Sequence, residues 1–77
     1  MIKTIEDVTA FFWYVRRKGI EVRPDKRFAD YYTNEGELVF TPAECDFFDY
    51  QMNDSHQVCE NEGFNIYNIA KICNNSF

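Results

Sequence analysis

The residues of this chain best suited to chemistry are one histidine and three cysteines. His56 and Cys59 lie three positions apart, so they share a face if the segment is helical, and Cys73 is a third candidate ligand for a metal ion. The same residues also have the composition of a thiol nucleophile with an imidazole base. Cys45 lies about 16 Å from His56 along a straight helix, which is too far for it to join them.

Neither interpretation is complete. A closed zinc site needs four ligands, and the sequence contains no C-x-x-C pair. A catalytic thiol also needs an oxyanion hole and a substrate cleft, for which 77 residues leave little room. We therefore predict no enzyme, no metal and no cofactor, with the cysteines as small core residues. The alternative hypothesis is a small metal- or thiol-dependent enzyme or sensor that uses His56 and Cys59.

The acidic residues of the same segment favour a binding surface. Asp46 and Asp49 are neighbours on a helix face, but nothing in the pattern buries either carboxylate to raise its pKa for paired-acid catalysis. At about 100° per residue they gather on one side of the helix with Asn53 and Glu60. Carboxylates spaced along a helix can imitate nucleic-acid phosphates and occupy a basic groove on another protein. The plainer alternative is a solvated face that keeps a small protein soluble.

Several aromatic residues lie off the apolar faces predicted for their helices. Trp13 falls about 120° from the apolar stripe of the first helix, beside Arg16 and Arg17. Either another part of the chain covers Trp13, or it forms a partner-binding patch with the arginines, since these residue types are enriched at interface hot spots. The candidate binding residues are Trp13, Tyr14, Arg16, Arg17, Asp46, Asp49, Tyr50, Asn53 and Glu60.

Strong start and stop signals define the helix that must position most of these residues. Thr41 and Glu44 form a capping box around Pro42, and Gly63 provides the left-handed residue that ends a helix. These signals predict a long helix from Pro42 to Glu62. Its apolar arc is predicted to contain Phe47, Phe48, Met52, Ser55, Val58 and Cys59.

The other elements are shorter. Helices are predicted from Ile5 to Lys18, after the cap Thr4, and from Ile66 to Cys73, after the cap Asn65. The segment 20–40 predicts either a small β-ribbon or an ordered loop with one helical turn. The fold prediction is mainly α, at the margin of α+β: a single small three-helix domain over residues 1–77. The predicted core consists of Val8, Phe11, Phe12, Val15, Phe28, Phe40, Phe48, Met52, Cys59, Ile66 and Ile69.

Composition narrows the class of partner. A net charge of −5 and a pI near 4.6 argue against nucleic acids and anionic membranes and favour a protein with a basic surface. The longest apolar run, AFFWYV, is far shorter than the roughly 20 residues that cross a bilayer. An odd number of cysteines without a signal peptide predicts reduced thiols in the cytoplasm. A homodimer whose interface is formed by exposed aromatic side chains is also compatible with the sequence.

Two segments of the sequence resemble segments of other proteins. The runs PDKRFADYYTNEGELVFTPAE and VCENEGFNIYNI cover about the C-terminal two-thirds of the chain. They resemble a group of small uncharacterised proteins carried by gut bacteria of the Bacteroides type, often near mobile elements. The resemblance implies a bacterial cytosolic accessory protein and transfers no catalytic residue. The leading hypothesis is therefore a non-enzymatic protein-interaction module, such as an accessory or inhibitor protein of a mobile element.

Overall fold

A computed structural model describes residues 1–76, which form three α-helices and a structured loop. Helix α1 spans Ile5–Arg17, α2 spans Pro42–Glu62 and α3 spans Ile66–Asn74. A short 3₁₀ helix, Phe28–Asp30, lies in the loop between α1 and α2. The mainly α, three-helix prediction is confirmed. Helix α1 ends one residue earlier than predicted and α3 one residue later, which is the usual uncertainty of a fraying last turn.

The helix ends have the capping interactions that the sequence predicts. The Thr41 hydroxyl accepts a hydrogen bond from the Glu44 amide at 3.2 Å, and the Glu44 carboxylate accepts one from the Thr41 amide at 3.0 Å. Gly63 ends α2 with a φ of 74°, and the Phe64 amide donates back to the Cys59 carbonyl at 2.9 Å. A second capping box, Thr4 with Asp7, starts α1. Local chemistry alone thus defines both ends of α2 and the start of α1.

These capping boxes make the stability of the fold sensitive to acid. Hydrogen bonds from the Lys3 and Thr4 amides lower the pKa of Asp7, and the bond from the Thr41 amide lowers the pKa of Glu44. Because each pKa is lower in the folded state, the ionised carboxylates stabilise the fold above their unfolded pKa values. That stabilisation is lost as pH falls through the folded values. We expect the thermal unfolding midpoint to decrease from about pH 5 to about pH 3.

The double variant Asp7→Asn with Glu44→Gln tests this prediction. It retains an oxygen acceptor at each cap and removes the titrating group, so its unfolding midpoint should depend less steeply on pH in this range. The matched control replaces two exposed loop carboxylates, Glu35→Gln with Glu37→Gln, which form neither cap. If the unfolding midpoint depends on pH equally steeply in both double variants, the acid sensitivity does not come from the caps.

Aromatic rings fill the centre of the core. The Phe28 ring lies 5.3 Å from that of Phe40, 5.4 Å from Phe48 and 6.1 Å from Phe11, measured between ring centroids. Every predicted core residue is buried except Ile69, which is partly buried and packs at the edge. Cys45, Cys73 and Val58 are buried as well, as expected for core cysteines and for the apolar arc of α2, and the core further includes Val22, Tyr31 and Ala70.

The prediction for Phe47 is wrong. It is placed on the apolar arc of α2, but its side chain is 57% exposed. Adjacent residues on a helix point about 100° apart, so α1 covers Phe48 while Phe47 lies at the outer edge of the contact. The two rings remain in contact at 5.6 Å. Helix α2 therefore presents an aromatic side chain to solvent beside the core.

Between α1 and α2 the chain adopts the ordered-loop alternative. Within residues 1–76 the only β pairing is an isolated antiparallel bridge between Tyr32 and Leu38. It closes over a tight turn in which the Gly36 amide donates to the Thr33 carbonyl at 2.9 Å. In the alternative β-ribbon, residues 20–22 would form the first strand, but they do not pair with this bridge. The Val22 backbone instead bonds to the Asn74 side chain of α3, which accepts from the Val22 amide at 2.8 Å and donates to the Val22 carbonyl at 3.0 Å.

Candidate functional site

His56 has a structural contact that limits its chemistry. Its Nε2 lies 2.8 Å from the backbone carbonyl of Pro24, in the loop between α1 and α2. Because a carbonyl only accepts hydrogen bonds, this nitrogen carries the proton and donates it. Nε2 is therefore not available as a metal ligand or as a base toward Cys59, and in the neutral ring only Nδ1 keeps a free lone pair. The contact attaches the loop to α2.

The cysteines are buried thiols. Burial raises the pKa of Cys45, Cys59 and Cys73, so each thiol stays protonated near neutral pH. The Cys45 sulfur also lies 3.8 Å from the Phe40 carbonyl oxygen. In the part of the chain that the structure describes, no group of three His, Cys, Asp or Glu residues is arranged to hold a metal ion. These positions have the character of small apolar core residues.

Two of the predicted binding residues also hold the loop. The guanidinium of Arg16 donates to the Ile20 carbonyl at 2.8 Å, and the Asp49 carboxylate accepts from the Phe28 amide at 3.1 Å. Both contacts satisfy backbone groups that a sheet would otherwise pair. Charged residues that look like surface features in the sequence thus position the loop against the helices.

The patch predicted around Trp13 is only partly exposed. Trp13 is partly buried and packs against the core. With Arg17 it borders a shallow hollow of about 480 Å³ along the outer side of α1. Arg16 is directed to the loop and does not line this hollow. The structure therefore keeps Trp13 and Arg17 together and separates Arg16 from them.

The predicted face of α2 is brought together in part. Asp46, Asp49, Tyr50 and Asn53 line one small hollow of about 230 Å³, and the Tyr50 ring is 72% exposed. Glu60 is exposed but does not line this hollow, since it lies about 10 Å further along α2. The face is thus a short polar patch around an exposed tyrosine.

Sequence reasoning missed a larger groove between α1 and α2, with a volume of about 630 Å³. Its floor is aromatic: the Phe48 ring lies 6.0 Å from the Phe11 ring and 5.6 Å from the Tyr14 ring. Two small side chains, Ala10 and Ala43, line it as well and leave room above these rings. We refer to this feature as the α1/α2 groove.

Exposed apolar side chains surround the α1/α2 groove. Phe47 and Tyr14 are exposed on its two walls, and Met1, which also lines it, is 88% exposed. The adjacent pair Phe47-Phe48 is the signal that sequence reasoning could have used. Consecutive helical residues point about 100° apart, so burying both requires cover over a wide arc, which Phe11 and Phe12 of α1 have and Phe47 and Phe48 do not.

The polar residues of the groove are mainly acidic. The carboxylates of Asp7 and Glu44 line it, together with Gln51, and no lysine or arginine does. The Lys18 ammonium lies 5.4 Å above the centre of the Tyr14 ring, next to the groove. The site therefore combines an apolar floor with two carboxylates at its edge, whose charge is partly offset by the N-terminal ammonium near Asp7 and by Lys18 near Glu44.

No protein family, curated protein or solved structure matches this chain. Its function therefore has to be inferred from its own surface. Among residues 1–76, no helix combines the length and the apolarity needed to cross a membrane.

Proposed function

We propose that this chain is a non-enzymatic protein-interaction module that binds a partner with a basic surface in the α1/α2 groove. The observation that carries the proposal is the exposed apolar rim of Phe47, Tyr14 and Met1 around an aromatic floor. Small proteins seldom expose adjacent large apolar side chains without a use for them. The protein acts in the cytoplasm as an accessory or inhibitor protein of a mobile element.

The energetics favour Phe47 as the anchor of binding. Burying a large apolar side chain contributes about 1.5–3 kcal/mol. The Phe47 side chain is more than half exposed, and its ring is in contact with the Phe48 ring. A side chain already restrained by a neighbouring ring loses less entropy on binding. Tyr14, on the opposite wall, provides a second aromatic contact of the type enriched in interfaces.

Charge and thiol chemistry support the rest of the proposal. A net charge of −5 steers basic partners toward the protein and repels acidic ones. The polar patch of Asp46, Tyr50 and Asn53 lies on α2 next to Phe47 and extends the acidic surface. Three free cysteines fit a reducing compartment.

Replacing Phe47 with serine tests the proposal. We expect the affinity for a partner purified from the host cytosol to fall by about 10- to 100-fold, because the anchor loses its apolar area. Isothermal titration calorimetry would measure the change. Thermal melting should show little loss of stability, since the Phe47 side chain lies outside the core.

The matched control is Ile72→Ser, which removes an apolar side chain that is 66% exposed on α3, away from the groove. This variant should bind the partner as the wild type does. The proposal is wrong if Phe47→Ser also retains full affinity, or if the protein that binds has an acidic surface.

A further inference from the structure

We infer that the partner inserts an amphipathic helix into the α1/α2 groove, with two cationic side chains at i and i+7 flanking apolar anchors at i+3 and i+4. The inference rests on the proposed function and specifies the binding element of the partner. It follows from the placement of two carboxylates relative to the aromatic floor.

The two helices that form the groove run antiparallel. Phe11 of α1 contacts Phe48 of α2, and the charge of Lys18, at the end of α1, acts on Glu44 at the start of α2. Asp7 precedes Phe11 by four residues and Glu44 precedes Phe48 by four, each about 6 Å along its helix. Because the helices run in opposite directions, the carboxylates lie on opposite sides of the aromatic contact, and the helical rise places them at most about 12 Å apart along the groove.

The separation of the two carboxylates matches the spacing of side chains along one face of a helical ligand. Residues at i and i+7 share one helix face and lie about 10.5 Å apart, within reach of two flexible lysine or arginine side chains. The residues at i+3 and i+4 lie between them on the same face and would meet the aromatic floor. The small side chains of Ala10 and Ala43 allow the close approach at which helices pack, with axes 8–10 Å apart.

Capping leaves both carboxylates able to bind a cation. Asp7 Oδ2 accepts from the Lys3 and Thr4 amides, and Glu44 Oε1 accepts from the Thr41 amide. An ionised carboxylate has about four acceptor positions over its two oxygens, so further acceptor capacity remains at each site. The lowered pKa values keep both groups ionised at neutral pH.

Two other occupants fit less well. A second copy of this chain would bring another charge of −5 to the interface and place carboxylates against carboxylates. It would also have to bury about 800 Å² per protomer for a stable dimer, out of a total surface of 5205 Å². A nucleic acid would bring its phosphates against Asp7 and Glu44.

Synthetic peptides test the inference. The probe is a helical alanine–glutamine peptide with lysines at i and i+7 and leucines at i+3 and i+4. One control moves both lysines to the opposite helix face with the composition unchanged, and a second replaces them with glutamates. Affinity is measured by NMR titration of the full chain, which also shows whether the shifted resonances belong to α1 and α2.

We expect the probe to bind about three- to tenfold more tightly than the first control, because two exposed ion pairs each add a modest attraction that solvent screens in part. The glutamate peptide should bind more weakly still. The preference should shrink as salt rises from about 0.05 M to about 0.3 M. It should also be absent in the variant Asp7→Asn with Glu44→Gln, which retains the caps.

The results separate this inference from the proposed function. If all three peptides bind equally and this binding is lost in Phe47→Ser, the inference of a partner helix with cations at i and i+7 is wrong, while the groove is still the docking site. Binding of the probe that is unchanged in Phe47→Ser overturns both. A wild-type dimer in sedimentation that Phe47→Ser converts to monomer identifies a second copy as the occupant and also overturns the inference.

Discussion

Replacing Phe28 with alanine is expected to lower the free energy of unfolding by about 3–5 kcal/mol. The side chain is 1% exposed and contacts rings from both α1 and α2, as well as Tyr31 in its own loop. Truncation removes its buried apolar area and leaves a cavity that rigid neighbouring rings cannot easily close. The loop from α1 to α2 would lose its main hydrophobic contact.

The effect is large relative to the whole protein. At about 0.05–0.15 kcal/mol per residue, a chain of this length has a total stability of about 4–12 kcal/mol. Phe28→Ala is therefore expected to lose at least about a quarter of the total stability, and to be largely unfolded if the total lies near the lower end of this range. Urea denaturation followed by circular dichroism measures the change, provided that the m-value stays constant.

Tyr32→Ala is the matched control, because Tyr32 is an exposed aromatic in the same loop. Its truncation should change the free energy of unfolding by less than about 0.5–1 kcal/mol. A loss below about 1 kcal/mol in Phe28→Ala would contradict the placement of this ring at the centre of the core.

The helices were predictable from the sequence because their signals are local. Thr41, Glu44 and Gly63 specify α2 through contacts within a few residues of each other. The same locality explains the failure at Phe47. Periodicity identifies a broad apolar arc, but the part of that arc that is covered depends on where α1 packs.

The loop was not predictable in the same way, because its contacts are distant in sequence. Its backbone bonds to Asp49 and His56 of α2, 21 and 32 residues away, and to Asn74 of α3, 52 residues from Val22. In isolation, a histidine and an arginine suggest chemistry or binding. The α1/α2 groove was missed for a related reason, since a groove exists only once two helices have been paired.

Replacing Asn74 with alanine is the second change with a large expected effect. The side-chain amide of Asn74 exchanges two hydrogen bonds with the Val22 backbone, as a neighbouring β-strand would. Val22 is buried, so its amide and carbonyl would lose their partners in a place with little access to water. Each unsatisfied buried group costs about 1–3 kcal/mol, and because both hydrogen bonds are only partly buried we expect a total loss of about 2–4 kcal/mol, below the full cost of two such groups.

Two further variants distinguish this pairing from a general effect at the end of α3. Asn75→Ala alters the exposed neighbour and should cost less than about 0.5–1 kcal/mol. Asn74→Asp keeps an acceptor for the Val22 amide but directs an acceptor at the Val22 carbonyl, so it should not restore stability at neutral pH. Hydrogen exchange at the Val22 amide gives a local readout and should accelerate in Asn74→Ala but not in Asn75→Ala. If Asn74→Asp were as stable as the wild type, the hydrogen bond donated to the Val22 carbonyl would contribute nothing to the stability of the loop.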